Sequence, residues 1–251
     1  MLDSMTSQRV ALVTGGSRGI GRAIVRRLAA DGYQVVVNFA GNQQEADAAV
    51  AEAGAENAIA VQADVADEAA VARMVADAEA RFGDPVEILV NNASSPTLPK
   101  ALLEQSWSDV LAHLDVQVKG ALHCLKAVGP GMVARGRGHI VNIGSTHAWG
   151  VPPANLSGYV AAKSALAALT RCAAVELGPS GVHVNMISPG MTETELIADV
   201  PERMRKVFAM QTPMRRLALP DDVAAAVVML VSKAGGFMQG ADIPVCGGGV
   251  M

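Results

Sequence analysis

The chain has 251 residues, of which 51% are hydrophobic and only 3% aromatic, and its formal net charge is −4. This length suits one large α/β domain or two small ones, and the aliphatic composition can supply a sizeable core. The acidic balance without a basic cluster argues against a nucleic-acid partner. Apolar stretches shorter than about 18 residues predict no membrane span.

The terminus and the reactive side chains indicate a cytoplasmic location. Residues 1–8 are polar and lack an apolar signal core, so we expect a flexible N-terminus. The widely spaced Cys124, Cys172 and Cys246 are typical of reduced thiols rather than of a disulfide. The five histidines have no His-x-x-x-His spacing, so we expect no metal site.

Apolar runs of strand length alternate along the chain with stretches of helical period. Strands are predicted at Val10–Val13, 35–39, Ala58–Gln62, 88–90, 139–143, 182–187 and Asp242–Val245. Helices are predicted at 20–28, Gln43–Ala53, 67–82, 106–128, Ser157–Leu177 and 221–232. The continuous apolar strands predict an α/β fold with a single doubly wound, mostly parallel sheet of about seven strands and helices on both faces. Residues 9–251 would form one domain, with the irregular stretch 192–217 as a mobile lid.

Glycines cluster between the first strand and the first helix, in Thr14-Gly15-Gly16-Ser17-Arg18-Gly19-Ile20-Gly21. They permit a tight turn, and the helix N-terminus offers free N–H groups to a phosphate. This context predicts a Rossmann-type dinucleotide site rather than an ordinary turn. Gly15-x-Ser17-x-Gly19 also fits a hydrolase nucleophile elbow, but the required Asp and His do not follow in a suitable place. A nucleotide-triphosphate loop would need Lys-Ser/Thr where Arg22-Ala23 stands.

A second group of polar residues predicts proton-transfer chemistry. Tyr159 and Lys163 lie one helical turn apart, and Ser145 follows the fifth strand at the edge where open α/β sheets bind ligands. Moving the pKa of a tyrosine from about 10 to near 7 needs about 4 kcal/mol, part of which a close ammonium supplies. Tyr159 could then donate a proton to a carbonyl oxygen that Ser145 also binds.

Together these motifs resemble the short-chain dehydrogenases/reductases over about residues 9–251, and most closely the 3-oxoacyl-[acyl-carrier-protein] reductases. The matching segments are 14–21, Asp64-Val65, Asn91-Asn92-Ala93, Ser145, Tyr159-x-x-x-Lys163 and Pro189-Gly190. The resemblance implies an oxidoreductase in which Ser145, Tyr159 and Lys163 are catalytic and Lys163 joins a proton relay. It also implies cofactor contacts by Gly15, Ser17, Arg18, Gly19, Ile20, Gly21, Asn38, Asp64, Val65, Asn91, Ala93, Tyr159, Lys163, Pro189, Gly190 and Thr194.

Two positions depart from the pattern of the family. Gln117 stands where the family has its relay asparagine, and Ser94 follows Asn91-Asn92-Ala93 where the family usually has glycine. The asparagine works largely through its backbone carbonyl and a water, so we expect glutamine to preserve activity. Ser94 would narrow the space beside the cofactor ribose.

The end of the second strand indicates which nicotinamide cofactor to expect. Residues 35–42 contain no acid, and the first carboxylate is Glu45, whereas NAD enzymes usually have Asp or Glu here. Arg18 could pair with a 2′-phosphate. We therefore predict NADP(H) in preference to NAD(H).

The resemblance implies reduction of a small-molecule or carrier-protein-bound ketone, a β-ketoacyl thioester, as in fatty acid or polyketide biosynthesis. A specialised secondary-metabolite ketoreductase or an alcohol dehydrogenase of the same family is the alternative, and His147 and Trp149 are candidate substrate residues. A non-catalytic dinucleotide-binding paralogue is an alternative of another class. The resemblance also implies a homotetramer, or else a dimer.

Overall fold

The computed structural model describes residues 9–197 and 200–250, so the expected flexible segment 1–8 lies outside it. Within these residues seven strands form a sheet: β1 Val10–Val13, β2 Gln34–Phe39, β3 Ala58–Gln62, β4 Val86–Asn91, β5 Gly138–Ile143, β6 Val182–Pro189 and β7 Asp242–Val245. Their order is β3-β2-β1-β4-β5-β6-β7, and every pairing is parallel. The doubly wound α/β fold is therefore confirmed, with a sheet that is entirely rather than mostly parallel.

The helices cover both faces of the sheet: α1 Gly19–Ala30, α2 Gln43–Ala53, α3 Glu68–Phe82, α4 Trp107–Leu114, α5 Gly120–Arg135, α6 Ser157–Leu177, α7 Glu202–Gln211 and α8 Pro220–Val231. Alternate residues of β1 point to opposite faces, as a strand requires. Ala11 and Val13 join the core formed with α1 and α8, whereas Val10 and Leu12 join the core formed with α3 and α5. No helix in the described ranges is both long enough and apolar enough to span a bilayer.

The helix predicted at 106–128 differs from the observed one. The observed helix consists of α4 and α5, which are joined by a π-turn at Asp115–Lys119, and it begins at Trp107 after a capping box on Ser106. It then continues to Arg135 although Pro130 lies inside it. Gly129 precedes the proline, and without a Cβ it avoids most of the clash that normally ends a helix there. Burial of Val128 and Met132 offsets the missing hydrogen bond.

The stretch 192–217 contains more regular structure than the sequence suggests. It holds the 3₁₀ turn Glu195–Ile197 and the helix α7, which the sequence did not predict. None of the residues of α7 that the structure describes is fully buried. Met204, Val207 and Phe208 have the i, i+3, i+4 spacing of a helix, so the signal was present in the sequence but covers little more than one turn. Its role as a lid stays a prediction.

The parallel sheet fixes where the polar segments meet. The segments after β1, β4, β5 and β6 emerge at the carboxyl edge of adjacent strands in the centre of the sheet. These segments carry the glycine loop, Asn92, Ser145 and Gly190. Ligands bind at this edge in open α/β sheets, at the point where the strand order reverses.

Candidate active site

The glycine loop is shaped to receive an anion. Gly15 and Gly19 have φ of +61° and +51°, which side-chain-bearing residues rarely adopt. A Cβ on Gly21 would clash with the carbonyl oxygen of Gly15. Arg18 caps α1 in an extended conformation, and no side chain of residues 9–197 and 200–250 accepts from the N–H groups of the first turn. These groups are free to bind a phosphate, so the loop fits a dinucleotide.

Neighbouring side chains hold the glycine loop in place. Thr14 Oγ1 accepts from the N–H groups of Asn92 and Ala93, both at 3.0 Å. Asn92 Nδ2 donates to the carbonyl oxygens of Thr14 and Gly15, again at 3.0 Å. Asn92 is thus a supporting residue of the loop that had no predicted role. Its position two residues before Ser94, in a polar segment directly after a buried strand, was the available signal.

Asn38 supports this loop from the second strand. Its buried side chain accepts from the Gly15 N–H at 3.3 Å and donates to the Ala63 carbonyl at 3.0 Å. The carboxamide is therefore already used by the backbone in this structure. We propose that Asn38 shapes the cofactor site through the loop rather than by direct contact.

The predicted cofactor residues at the carboxyl ends of β3 and β4 differ in their exposure. Asp64 is exposed and accepts from the Ala66 N–H at 2.9 Å, so its carboxylate faces solvent at the carboxyl edge. Val65 is buried against Gly120, where a Cβ would collide with its side chain. Asn91 is buried and donates to Asn142 Oδ1 at 2.8 Å, which ties β4 to β5. Asn91 therefore supports the sheet beneath the site.

Ser145, Tyr159 and Lys163 come together as their spacing predicted. Ser145 lies near enough to Tyr159 to lower the pKa of its phenol. Lys163 Nζ lies 5.8 Å from the centre of the Tyr159 ring and donates to the Ile143 carbonyl at 2.7 Å. Lys163 is only 4% exposed, whereas part of the Tyr159 surface is still accessible. The phenol of Tyr159 is thus accessible to a ligand, whereas the ammonium of Lys163 is buried beneath the tyrosine ring.

Burial shifts the pKa values of both Tyr159 and Lys163. Burial raises the pKa of Tyr159, and the neighbouring Ser145 opposes this rise only in part. Burial lowers the pKa of Lys163 to about 8. Desolvation of the phenolate sets the direction in this structure, so a tyrosine pKa lowered by Lys163 and by the positive nicotinamide ring stays a prediction. A phenol that keeps its proton at neutral pH is suited to act as a donor.

Two histidines flank the ring of Tyr159 edge to face. The ring centre of His147 lies 6.3 Å away and that of His113 lies 6.0 Å away. Burial lowers the pKa of both imidazoles. Trp149, in contrast, donates from Nε1 to Asp242 at 3.0 Å, which anchors the loop after Ser145 to β7. His113 was missed in the sequence, although it lies one helical turn before Gln117.

The segment after β6 folds back over the glycine loop. Gly190 N–H donates to the Val245 carbonyl at 3.0 Å, so Pro189 and Gly190 are held at the end of the sheet. Thr194 packs on the glycine loop, with its Cγ2 3.2 Å from the position of a Cβ built on Gly19. No group of three or more His, Cys, Asp or Glu side chains in residues 9–197 and 200–250 could hold a metal ion.

Comparison with known proteins shows what this arrangement belongs to. A family model described as enoyl-(acyl carrier protein) reductase matches residues 15–249. The chain belongs to the short-chain dehydrogenase/reductase family. The match includes both the glycine loop and the Ser145, Tyr159 and Lys163 group.

Several members of the family are similar over nearly their whole length. The 3-oxoacyl-[acyl-carrier-protein] reductase FabG of Staphylococcus aureus is 36% identical over 97% of this chain and 99% of the relative. The cis-4-hydroxycyclohexanecarboxylate dehydrogenase of Sinomonas cyclohexanicum is 39% identical over 96% of both chains. The 3-ketoacyl-(acyl-carrier-protein) reductase of Brucella melitensis, solved with NADH, has a TM-score of 0.90 at 33% identity, covering 97% of this chain and 98% of that one.

The two departures from the family pattern contact each other. Gln117, only 2% exposed, lies in the π-turn and donates from Nε2 to Ser94 Oγ at 3.1 Å. Ser94 itself is exposed. The serine is thus a hydrogen-bond partner of the glutamine, and the two substitutions form one local change in this short-chain dehydrogenase/reductase.

Proposed function

We propose that the protein is an NADPH-dependent ketoreductase that reduces the β-keto group of an acyl thioester, with Tyr159 as the general acid. The grouping of Ser145 and Tyr159 at the carboxyl edge of the sheet, with the buried Lys163 one helical turn from Tyr159, carries this proposal. The similarity to FabG and to the acetoacetyl-CoA reductase of Rhizobium meliloti, 38% identical over 96% of this chain and 98% of the relative, supports a ketone substrate.

The three side chains account for the proton that the reaction consumes. A ketone oxygen placed between the hydroxyls of Ser145 and Tyr159 accepts a hydrogen bond from each. The nicotinamide cofactor supplies the hydride to the carbon when it is bound. As negative charge develops on the oxygen, Tyr159 gives up its proton, and the nearby Lys163 ammonium stabilises the phenolate that remains.

The residues around the second strand support NADPH. The N–H groups at the start of α1 support a pyrophosphate site on residues 15–21. Arg18 is exposed and makes no ion pair with the described side chains. Glu45, the first acid after β2, is held by Arg22 at 3.0 Å. A 2′-phosphate would therefore meet a free guanidinium and no free carboxylate.

Side-by-side assays test this cofactor preference. We expect a higher kcat/KM with NADPH than with NADH. Replacing Arg18 with Ala should lower kcat/KM by about tenfold with NADPH and leave NADH nearly unaffected, because one exposed charge-assisted bond to the phosphate is lost. Arg27→Ala, on the same helix at its far end, is the matched control. A wild-type preference for NADH would contradict the proposed preference for NADPH.

The substrate is tested with ketones in the presence of NADPH. A panel of β-ketoacyl thioesters on carrier protein and on coenzyme A should give cofactor oxidation, with cyclic ketones and aldehydes as comparison. His147 lies beside Tyr159, and we propose that it lines the acyl pocket, whereas Trp149 shapes that pocket through Asp242. Turnover of cyclic ketones alone would favour the specialised ketoreductase or alcohol dehydrogenase instead.

One observation favours a second candidate of another class. Gln117 replaces the relay asparagine, so a non-catalytic dinucleotide-binding paralogue is the alternative. NADPH binding without oxidation by any ketone of the panel, in wild type and in Gln117→Asn, would favour that alternative.

We also propose a cytoplasmic homotetramer, with a dimer as the alternative. Large apolar side chains are exposed on the long helices: Trp107, Leu111, Leu122, Val133 and Val175. Such a surface is typical of a protein interface. Mass photometry should give four times the mass of the chain, and a monomer would contradict the proposal.

A further inference from the structure

The chain between β6 and α8 leaves the carboxyl edge of the sheet and returns to it. Thr192 forms an isolated parallel bridge with Ala218, whose N–H donates to the carbonyl of Met191 at 3.0 Å. The N–H of Met214 donates to the carbonyl of Gly247 at 3.2 Å, in the segment after β7. Because β6 is the neighbour of β5, the helix α7 carried by this excursion lies at the β6 side of the candidate active site.

The α7 segment, residues 201–217, is basic in an acidic chain. It contains five arginines and lysines and one acid, a net charge of +4, whereas the whole chain carries −4. Two of its cations are paired, Lys206 with Glu202 at 2.7 Å and Arg216 with Asp222. Charge of one sign that is concentrated beside a cleft attracts ligands of the opposite sign. The remaining cations of the segment are Arg203, Arg205 and Arg215.

Arg203 and Arg205 lie on opposite sides of α7. The half-buried residues of the helix and its C-cap have the i, i+3, i+4, i+7 spacing of one face: Arg205, Phe208, Ala209 and Thr212. Arg203 is two positions before Arg205, about 200° around the helix, and is exposed. The inner face of α7 therefore carries one guanidinium, and the outer face presents another to solvent.

Arg205 has no partner for its charge in residues 9–197 and 200–250. It forms no ion pair with the side chains of these residues, and its Nε is enclosed without a hydrogen-bond acceptor. An enclosed donor that meets no acceptor destabilises the fold. The guanidinium is thus suited to an external anion, and its fork of N–H groups fits the oxygens of a phosphate.

Arg215 supplies a second guanidinium, from a strained backbone. Its φ is +56°, which residues with a Cβ rarely adopt, and its Nη1 donates to the carbonyl of Met210 at 2.6 Å. Arg215 is exposed and forms no ion pair with the described side chains. Strained backbone of this kind is found at ligand sites, where the surrounding structure retains it.

The segment after β4, on the other side of β5, is not basic. Residues 93–106 contain one base and one acid, Lys100 and Glu104. Lys100 Nζ is already bound to Asp109 at 2.6 Å. An acidic protein docked across the site would meet Glu104 on this side, whereas a small phosphate-bearing molecule can contact the α7 side alone. The distribution of charge therefore favours a coenzyme rather than a carrier protein.

We propose that Arg205, aided by Arg215, binds the phosphates of a coenzyme A thioester and so selects this form of the β-ketoacyl substrate. The proposal rests on the proposed ketone reduction. The pantetheine arm of coenzyme A is long and separates the phosphates from the keto carbon. A residue at the rim can therefore hold one end of the substrate while Tyr159 meets the other, and this remote contact favours the bound geometry.

Two thioesters of the same acyl group test the role of the phosphates. Acetoacetyl-CoA carries them, whereas the acetoacetyl thioester of N-acetylcysteamine has none. We expect kcat/KM to be at least about tenfold higher with acetoacetyl-CoA. This advantage should shrink as the ionic strength is raised, since salt screens the exposed charges. Equal kcat/KM values for the two thioesters at low salt would overturn the proposal.

Two alanine variants with the same change of net charge separate Arg205 from the general field. Arg205→Ala should lower kcat/KM with acetoacetyl-CoA by about tenfold, mainly through KM, and remove most of the advantage over the short thioester. Arg203→Ala, on the outer face, is the matched control and should keep that advantage. Arg205→Lys should keep part of it, because the charge remains, and thermal unfolding shows whether each variant is folded. Equal losses in Arg203→Ala and Arg205→Ala would exclude a specific role for Arg205.

The carrier protein is tested as the other source of a pantetheine phosphate. Acetoacetyl-carrier protein should have a lower kcat/KM than acetoacetyl-CoA, and Arg205→Ala should reduce the difference between them. A higher kcat/KM with the carrier protein would contradict the selection of coenzyme A.

Calorimetric titration with free coenzyme A gives a readout independent of turnover. The protein is saturated with NADP⁺ beforehand, which keeps the adenosine phosphate of the probe out of the dinucleotide site. We expect Arg205→Ala to raise the Kd of coenzyme A by about tenfold and Arg203→Ala to leave it unchanged. No binding to the wild-type complex would overturn the phosphate site even if ketones are reduced. Wild-type protein that reduces no ketone would overturn the proposed function, while Arg205-dependent binding of coenzyme A would still support the phosphate site.

Discussion

Ionisable side chains are buried at both ends of the parallel sheet, but their surroundings differ. At the amino end Glu87, only 6% exposed, lies between Arg9 at 2.5 Å and Arg137 at 3.1 Å. Arg9 also donates to the Tyr33 hydroxyl at 2.9 Å. The buried carboxylate of Glu87 is therefore paired with two guanidinium groups, and their attraction offsets the cost of removing the carboxylate from water.

At the carboxyl end the buried charge has no such compensation. Lys163 is paired with no carboxylate in residues 9–197 and 200–250, and the carbonyl of Ile143 is its described hydrogen-bond partner. Burial lowers its pKa to about 8 as a result. An unpaired buried charge is costly, so its presence beside Tyr159 indicates a chemical rather than a structural role. The comparison indicates that the buried charge at the amino end of the sheet stabilises the fold, whereas the buried charge at the carboxyl end serves the proposed reaction.

The largest effect is expected for Tyr159→Phe. Without the hydroxyl, the ketone oxygen loses its proton donor, and kcat should fall by at least about a thousandfold. NADPH binding and the melting temperature should change little, since the ring and its packing remain. Steady-state assays and fluorescence titration with NADPH check both parts. Turnover within tenfold of wild type would show that another group supplies the proton.

The pH dependence of reduction should report Lys163. Its pKa is lowered to about 8, so the ammonium is present below that pH and is lost as the pH rises through it. We expect kcat/KM to fall about tenfold for each pH unit above about 8. Tyr159, whose pKa is raised, stays protonated through this range. Lys163→Arg, slower but charged at every pH tested, should lack this alkaline fall, and its persistence would exclude Lys163 as the cause.

Removing one charge from each end should have opposite consequences for stability. Glu87→Gln leaves the two arginines without their carboxylate, and the free energy of unfolding should fall by about 1–2 kcal/mol with kcat unchanged. Lys163→Met removes an unpaired charge and should leave that free energy unchanged or raise it by up to about 1 kcal/mol, while activity is lost. Urea unfolding and activity assays on both variants test this. Equal losses of stability would mean that both ends are structural.

The smallest effect is expected at His139, near the amino end. Burial, together with the stacked His183, lowers the pKa of His139 to about 4. As the pH falls, the unfolded chain therefore binds a proton at His139 before the folded protein does. The free energy of unfolding should decline as the pH falls from about 6.5 to 4. His139→Gln should reduce that decline by about 1 kcal/mol, because the partly exposed imidazole is screened by solvent. Identical pH dependence of unfolding in wild type and variant would show that His139 does not cause the decline.

The sequence predicted those parts of the site that depend on local pattern. The glycine loop follows an apolar strand and opens a helix, so its position needed no tertiary information. Tyr159 and Lys163 are one turn apart on a long helix, and this spacing places them on one face. His113 and Ser95 were missed because a single histidine or serine carries no periodic signal, and their contact joins residues that are 18 apart.

Sequence by itself determined the alternation of strands and helices, the glycine loop and the pair of Tyr159 and Lys163. These features arise from backbone geometry and side-chain period within a few residues. Only the tertiary structure decided that Gln117 bonds Ser94, that Glu87 is paired, and that Lys163 meets no carboxylate in the part of the chain that the structure describes. Such contacts depend on how separate elements pack, and burial strengthens or weakens each charge according to neighbours that are distant in the chain.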